Sequence, residues 1–545
     1  MRRQAIRWWQ ALAKAQKNFL SGALILTVAI VAVKIIGAIY KIPLANLLGT
    51  VGMNYYNDAY QIYSLLYVLS TVGVPVAIAR MVSESVTHNR LTEPKRILKI
   101  STGMFAAIGF ALMILLMALA GPLSKLLASE RVNLCIYLIA PSIFLVGVSS
   151  TIKGYFQGYK CMTTSAVFQV LEAGFKLFGL VLVCYMVYLQ GIADPMTLAC
   201  GGVLGVTFGS FAATIYMLIS ILREKEFGRD TEGSLPARSA STIAKTVLTL
   251  AIPISLSNAV LSLSSTIDMI LVKWSLGQFG MANEQVLHTY GAYSGATFSL
   301  FNLPPTLTSS IGIAVLPFLT SAFAAGKLQE AHRNIRSSAK VLAIIAMPCA
   351  LGMSVMSEAI VKLLYIEDYW AVGIPTLRVL ALAIFFVAFA PLTNSYLHAV
   401  GRVRITLLSM GAGALAKILV NLLLVPQIGI MGAPVGTFVC YGLIIALNLI
   451  FIARYLNFRF PLSVFWKPLI SSVFCSAAAY GSWWLLCRIG LSSKLALFPA
   501  LGVAVAVYAI CLLLFKVLAK EDMTFIPKGE KIGALLERKG WLHEE

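Results

Sequence analysis

The chain has 545 residues, of which 59% are hydrophobic and only 12% charged, with a formal net charge of +21. Soluble domains carry about 25% charged residues, so this composition excludes a soluble globular enzyme and points to an all-α polytopic membrane protein. The basic residues are spread along the chain with no motif to gather them, which argues against nucleic-acid binding.

Apolar runs of about 20 residues suffice to cross a bilayer as helix. Such spans are predicted near 19–45, 57–84, 97–120, 133–152, 163–188, 197–221, 246–275, 289–318, 341–361, 371–395, 405–425, 431–452, 468–487 and 496–517, fourteen in all. The opening MRRQAIRWWQALAKAQK has no small-residue cleavage site and reads as a retained cytoplasmic amphipathic lead, residues 1–18. With the N-terminus inside, 31 of the 43 Lys and Arg fall on inside segments, 5 on outside loops and 7 within spans. That is the positive-inside pattern, and an even number of spans returns the C-terminus to the cytoplasm.

The longest central loop, LREKEFGRDTEGSLPARSASTIAK, is polar and basic, and separates two similar halves. RLTEPKR at 90–96 matches KLQEAHR at 327–333, an offset of 237, and KGYFQGYK at 153–160 matches NSYLHAVG at 394–401, pairing Tyr155 with Tyr396. At that second offset of 241, Lys176 falls on Lys417. The expected division is a first lobe over 19–222, a cytoplasmic linker over 223–245, a second lobe over 246–454, two further spans over 455–518 and a cytoplasmic tail over 519–545. Two six-span units of one topology pack about an axis along the membrane normal.

A charge in hydrocarbon costs about 3 kcal/mol, so intramembrane charges normally face a wet cavity or a partner. Lys34 and Lys41 in the first span are two helical turns apart, hence on one face about 10 Å from each other. Lys34 lies beside Gly37, which allows close approach of a neighbouring helix or a bend; Lys41 precedes Pro43 near the outer end, where it can snorkel. Arg80 lies near the inner end of the second span, after Gly73 and Pro75, where proline removes a backbone donor and suits a gate. In the fifth span Glu172 and Lys176 stand at i,i+4 in the favourable ion-pair order. In the seventh, Asn258, Ser262, Ser265 and Asp268 form a polar stripe able to hold Na⁺ or, at Asp268, a proton. Lys273 is about 140° round the helix from Asp268 and is not its i,i+4 partner. Pro304 and Pro305 are expected to break the eighth span near its middle. Cations at membrane depth suggest a path for an anion.

The chain has no P-loop, HExxH, GxSxG or metal-spaced Cys/His cluster, so neither an ATPase nor a membrane hydrolase is expected, and no cofactor or metal beyond a coupling ion. The nine cysteines lie in or beside spans without a CxxC pair and read as buried thiols.

GALILTVAIVAVKIIGAIYKIPLANLLG, GMNYYNDAY and STVGVPVAIARMVSE resemble the opening of the SpoVB and MurJ-like flippases of the multidrug/oligosaccharidyl-lipid/polysaccharide exporter superfamily. YGAYSG followed by LPP, and AVLPFLTSAFAAGK, resemble that family's eighth span and following loop. The resemblance covers the whole chain. It implies about fourteen transmembrane helices as two six-helix lobes in a V-shaped MATE-like arrangement, plus two C-terminal helices that form a groove for a lipid tail. It further implies a monomer in the bacterial cytoplasmic membrane that carries an undecaprenyl-pyrophosphate-linked saccharide, such as lipid II, to the outer leaflet. The pyrophosphate would meet cations in the first lobe. Lys34 matches a family basic position and Asp268 an acidic position assigned to Na⁺ or H⁺ coupling, for which Asn258 and Glu172 are further candidates. The cations that MurJ-type members place in the second and eighth spans fall here near Tyr67 and on Tyr293–Ser294, leaving Lys41, Arg80 or Lys176 as substitutes. Two other readings stay open: a Na⁺- or H⁺-coupled antiporter of small cations, and a non-transporting scaffold in envelope synthesis.

Overall fold

Apolar segments in a bilayer have no water to satisfy their peptide groups, so each must close its hydrogen bonds internally as helix. The computed structural model describes the backbone of residues 2–71, 73–88, 90–127, 129, 131–224, 238–461 and 463–517. Within its helices, the side chains at 2–28, 30–31, 34–35, 38, 70–71, 257–258, 260–261, 307, 309–310, 313–314 and 317 lie outside the description. The described residues form helices and short connections, with no strand among them. In chain order they are α1 (Arg2–Thr71), α2 (Gly73–Thr87), α3 (Glu93–Leu126), α4 (Asn133–Ile139), α5 (Pro141–Gly158), α6 (Met162–Tyr188), α7 (Pro195–Arg223) and α8 (Ala240–Gln278). There follow α9 (Asn283–Ala292), a π-helical turn (Tyr293–Thr297), α10 (Phe298–Phe301), α11 (Leu303–Ala324), α12 (Leu328–Val355), α13 (Ser357–Leu364), α14 (Trp370–Leu380), α15 (Ile384–Ala399), α16 (Val403–Ile428), α17 (Gly432–Tyr455), α18 (Ser463–Arg488) and α19 (Ser493–Leu514).

Ten stretches of the described residues are long and apolar enough to cross a membrane. They do not map one for one onto the fourteen expected spans: tight reversals merge neighbours, as in Val403–Tyr455, which contains both α16 and α17, and the seventh and eighth expected spans include side chains outside the description. The first two spans likewise run together in α1. Gly49, at φ 65°, is the non-helical residue inside it, a left-handed conformation natural to glycine. The connection between the expected spans 19–45 and 57–84 is otherwise helical. The Tyr40 and Tyr56 hydroxyls approach to 3.4 Å, where a continuous helix would hold them about 24 Å apart, so the chain folds back on itself at Gly49.

Two compact units divide at Ile270/Leu271, inside α8, and not in the 223–245 linker, of which residues 225–237 lie outside the description. The physical reason is packing. A Cβ on Gly73 of α2 would collide with the Ala251 carbonyl and the Ser255 hydroxyl, so the first part of α8 lies directly on α2. Ile243 and Val247 join Val74, Ile78, Ile97 and Tyr155 in one core there. Glu93, the first residue of α3, is fully buried. It accepts hydrogen bonds from the Ser85 hydroxyl at 3.0 Å and the Arg238 backbone N–H at 3.1 Å, and pairs with the Arg238 guanidinium. This carboxylate ties the α2–α3 loop to the segment entering α8.

Helix α6 lies along α7 at backbone contact. A Cβ on Gly205 would sit 2.6 Å from the Gly179 Cα, and one on Gly209 would sit 2.6 Å from the Glu172 carbonyl oxygen. Small residues at i,i+4 are the usual device for such approach in a membrane.

In the second unit Leu342, Phe389, Tyr396, Ile444 and Ile452 centre the core. Tyr396 donates to or accepts from the Ser338 hydroxyl at 2.8 Å; its sequence match Tyr155 is equally buried in the first unit. The eighth span does break: the π-helical turn and α10 end at Asn302, and Pro304 and Pro305 occupy the first turn of α11, where no helical N–H is required. Helix α19 packs on α18, with the Cys475 thiol donating to the Ala504 carbonyl at 3.3 Å. The Tyr508 hydroxyl of α19 donates to the Ile344 carbonyl of α12 at 2.7 Å. Phe498 and Val505 stay 63% and 69% exposed on the other side of α19, suited to acyl chains.

Gly205→Val is expected to destabilise the detergent-solubilised protein by about 3 kcal/mol, the upper end for overpacking, because the clash is with backbone; thermal unfolding followed by fluorescence reads it. Glu93→Ala is expected to lose about 2 kcal/mol, since Arg238 keeps 21% of its side chain exposed and water softens the loss of its partner. A midpoint unchanged from the parent in the same assay would refute the latch.

Candidate substrate-binding site

The face of α1 beyond Gly49 that repeats at i, i+3, i+4 and i+7 carries Tyr60, Tyr63, Ser64 and Tyr67. The same spacing on α6 carries Gln169, Glu172, Ala173 and Lys176. Residues so spaced share one side of a helix. In the first unit the two faces meet and, with Val33 and Lys153, enclose a cavity of about 350 Å³.

The Lys176 ammonium lies 3.2 Å from the Glu172 carboxylate, the i,i+4 pair anticipated from sequence. Glu172 retains 6% and Lys176 22% of side-chain exposure, so the lysine is the more open member. Gly209 sets their position: the Glu172 carbonyl and the Lys176 Cγ both rest over it, the latter at 3.1 Å from where a Cβ would stand. Lys153 projects from α5 with its ammonium 5.2 Å from the centroid of the buried Phe168 ring, a cation–π contact. Two lysines against one carboxylate leave the cavity net cationic.

The opposite wall is aromatic. Tyr56 and Tyr60 stack with centroids 5.9 Å apart at 10°, Tyr60 and Tyr63 lie 5.8 Å apart, and Tyr63 and Tyr67 5.5 Å apart. The Tyr40 hydroxyl anchors this end by donating to the Gly202 carbonyl of α7 at 3.2 Å. Tyr67, near which the family pattern has a cation, is thus part of the cavity lining.

Of the other residues singled out in the sequence, Lys34 belongs to α1, and its side chain lies outside the described residues; its neighbour Val33 lines the cavity. Lys41 does not line it, being eight residues, about 12 Å, further along α1 than Val33. Arg80 does not line it either. It is exposed on α2, whose adjacent Ala77, Ile78 and Met81 are buried. A Cβ on Gly37 would meet no atom within 4 Å, so the close approach expected there is absent among the described residues. Gly73 and Pro75 are buried where α2 meets other helices, Gly73 against α8 and Pro75 against Gly154 of α5. Asp268 is buried on α8 outside the cavity lining, which Glu172 joins, and the Asn258 side chain lies outside the described residues. Lys273 sits with its ammonium 5.0 Å from the Tyr290 ring centroid.

Lys153 and the tyrosine face are not singled out by the sequence reading, whereas Gln169 belongs to the same fifth span as Glu172 and Lys176. Lys153 was hidden because the fourth span was expected to end at 152, whereas α5 runs on to Gly158. The tyrosines did carry a signal: NYYNDAYQIYSLLY places Tyr56, Tyr60, Tyr63 and Tyr67 at helical intervals.

Comparison with known proteins follows this geometry. Residues 253–423 match the family model described as MatE. Stage V sporulation protein B of Bacillus subtilis (strain 168) is 24% identical, over 94% of this chain and 98% of its own. The lipid II flippase MurJ of the same organism is 21% identical, over 82% of this chain and 85% of its own. The solved structure of a lipid II flippase MurJ in an inward closed conformation shares the fold, with a TM-score of 0.70 at 15% identity over 90% of this chain and 98% of that one. Residues 19–323, more than half the chain, match the model described as polysaccharide biosynthesis protein, and this multi-pass membrane protein belongs to that family.

Proposed function

We propose that the chain is a flippase of the multidrug/oligosaccharidyl-lipid/polysaccharide exporter superfamily, carrying an undecaprenyl-pyrophosphate-linked cell-wall precursor, lipid II or a close relative, between leaflets. The observation that carries this reading is a net cationic, partly aromatic cavity inside an apolar helical unit. A diphosphate is the headgroup such a site favours: Lys153 and Lys176 offer charge-assisted hydrogen bonds, stronger than neutral ones in a dry surrounding. Lys34, one residue from Val33 on α1, is assigned to the same site, with Lys41 and Arg80 as outlying cations that guide the headgroup on entry or exit. The names of the two curated relatives, one a lipid II flippase and one a sporulation protein, support a lipid-linked substrate and leave vegetative growth or sporulation as its setting.

The working cycle follows from the pair at the centre of the site. With Lys176 held by Glu172, Lys153 supplies the cavity's net positive charge. An arriving diphosphate competes with Glu172 for the ammonium, and transfer of Lys176 to the ligand frees the carboxylate to take a proton or Na⁺. Movement of the loaded site between leaflets is alternating access, with Gly73, Pro75, Pro304 and Pro305 at the helix contacts that rearrange. Asp268, with Asn258, is the second candidate for the coupling ion. The distribution of basic residues supports both termini inside, and the bacterial relatives support a place in the cytoplasmic membrane, where the chain acts as a monomer on lipid substrate.

Reconstitution into liposomes with fluorescent lipid II tests the reading. Lys176→Gln and Lys34→Ala are each expected to lower flipping about tenfold or more while the protein still inserts, the loss of one charge-assisted contact; Lys176→Arg retains most activity. Glu172→Gln frees the lysine, so it is expected to tighten lipid binding and slow release. Full transport by both lysine variants would exclude this cavity. Failure of the unaltered protein to replace a depleted lipid II flippase in cells, together with no flipping in liposomes, would exclude the substrate.

A further inference from the structure

The cationic wall accounts for a diphosphate but not for the opposite wall. Tyr56, Tyr60, Tyr63 and Tyr67 form a ladder whose successive centroids are 5.9, 5.8 and 5.5 Å apart. Its members differ in openness. Tyr60, Tyr63 and Tyr67 line the cavity; Tyr56 and Tyr63 retain only 4% and 2% exposure, whereas Tyr60 and Tyr67 are half-buried and the more open. The buried rings therefore brace the open ones. A ring held by its neighbours loses little freedom when a ligand lies against it.

A plain hydrophobic lining would use Leu, Ile or Phe. Tyr combines a flat apolar body with a polar tip. Ser64 lies between the rings on the same face, and Gln169 supplies an amide from α6. Aromatic faces interleaved with hydroxyl and amide groups suit a ligand that is itself two-sided, with C–H bonds along one face and hydroxyls round its rim. That ligand class is a pyranose. A hydrophobic aromatic cation would also favour tyrosine faces, but Lys153 and Lys176 across the cavity repel it.

We infer that the Tyr60–Tyr67 face is a saccharide platform: the first sugars of the headgroup lie against Tyr60 and Tyr67, with Ser64 and Gln169 bonding their hydroxyls, while the diphosphate takes the lysine wall. This rests on the flippase reading above and adds that the chain selects for the sugar as well as the phosphate. Sugar-free undecaprenyl diphosphate, which has the same tail and a diphosphate whose free end can carry one more negative charge, binds the lysines but gains nothing from the ladder.

The test compares two lipids, lipid II and undecaprenyl diphosphate, binding to the purified full chain in detergent by thermophoresis. The unaltered protein is expected to prefer lipid II about tenfold. Tyr60→Leu with Tyr67→Leu is expected to weaken lipid II about tenfold and leave undecaprenyl diphosphate within about twofold, the scale of one or two aromatic contacts. Tyr60→Phe with Tyr67→Phe keeps most of the preference, and Lys176→Gln weakens both lipids alike. Should the double leucine variant not fold, Tyr60→Trp against Tyr60→Leu poses the same question, because only the tryptophan keeps an aromatic face. Equal affinity of the unaltered chain for the two lipids, or equal weakening of both by the leucine variant, overturns the platform and leaves the flippase reading standing. Absence of binding to either lipid overturns both, as does saturable binding of ethidium that the leucine variant abolishes while lipid II binds no better than its sugar-free form.

Discussion

An ion pair inside an apolar helical bundle survives only if the two charges meet directly. Here that condition is met by the approach of α6 to α7. Gly205 and Gly209 let the backbones touch, and the second of them lies under the Glu172 carbonyl and the stem of Lys176. The i,i+4 spacing makes the pair available, but the glycines decide where it stands. Everything assigned to the site, from the cationic wall to the exchange of Lys176 between carboxylate and ligand, depends on that contact.

The same economy recurs within each unit. In the first, buried Glu93 binds the chain entering α8. In the second, His332 stands two residues after Glu330, the match of Glu93 in the repeat, with its Nε2 2.8 Å from the Leu456 carbonyl just beyond α17. Both sit at the start of a long helix and fasten the segment that follows the unit's hairpin of glycine-rich helices, α6–α7 or α16–α17. Lys417 extends the parallel: its Cγ lies near Gly436 as that of Lys176 lies near Gly209. Polar residues thus hold the ends of the bundles, while the spans are held by small residues and close packing, the forces available where lipid removes the hydrophobic drive between helices.

A cavity with cations on one wall and braced tyrosines on the other separates two kinds of recognition. Charge draws the headgroup from a distance and is insensitive to its detailed shape. Ring faces act only in contact and therefore discriminate.

Much of this was legible in the residues themselves. Hydropathy gave a polytopic helical protein, the repeat of RLTEPKR as KLQEAHR gave two similar halves, and Glu172 with Lys176 read directly as a pair, because each is a local pattern along one helix. The break at Pro304–Pro305 was legible for the same reason. What hydropathy could not distinguish was the direction of each charge round its helix. Lys41, Arg80, Lys153 and Lys176 all lie in or beside apolar runs, yet of these four only Lys153 and Lys176 line the cavity, and a helix face acquires a meaning only from what packs on its other side. The helical spacing of the tyrosines was likewise open to view, but whether they filled a core or lined a space was decided by the α6 face opposite. Composition and periodicity therefore determined that the chain is a helical membrane protein with buried charge. Tertiary structure alone decided which charges share a chamber, because that depends on close approach between helices far apart in sequence.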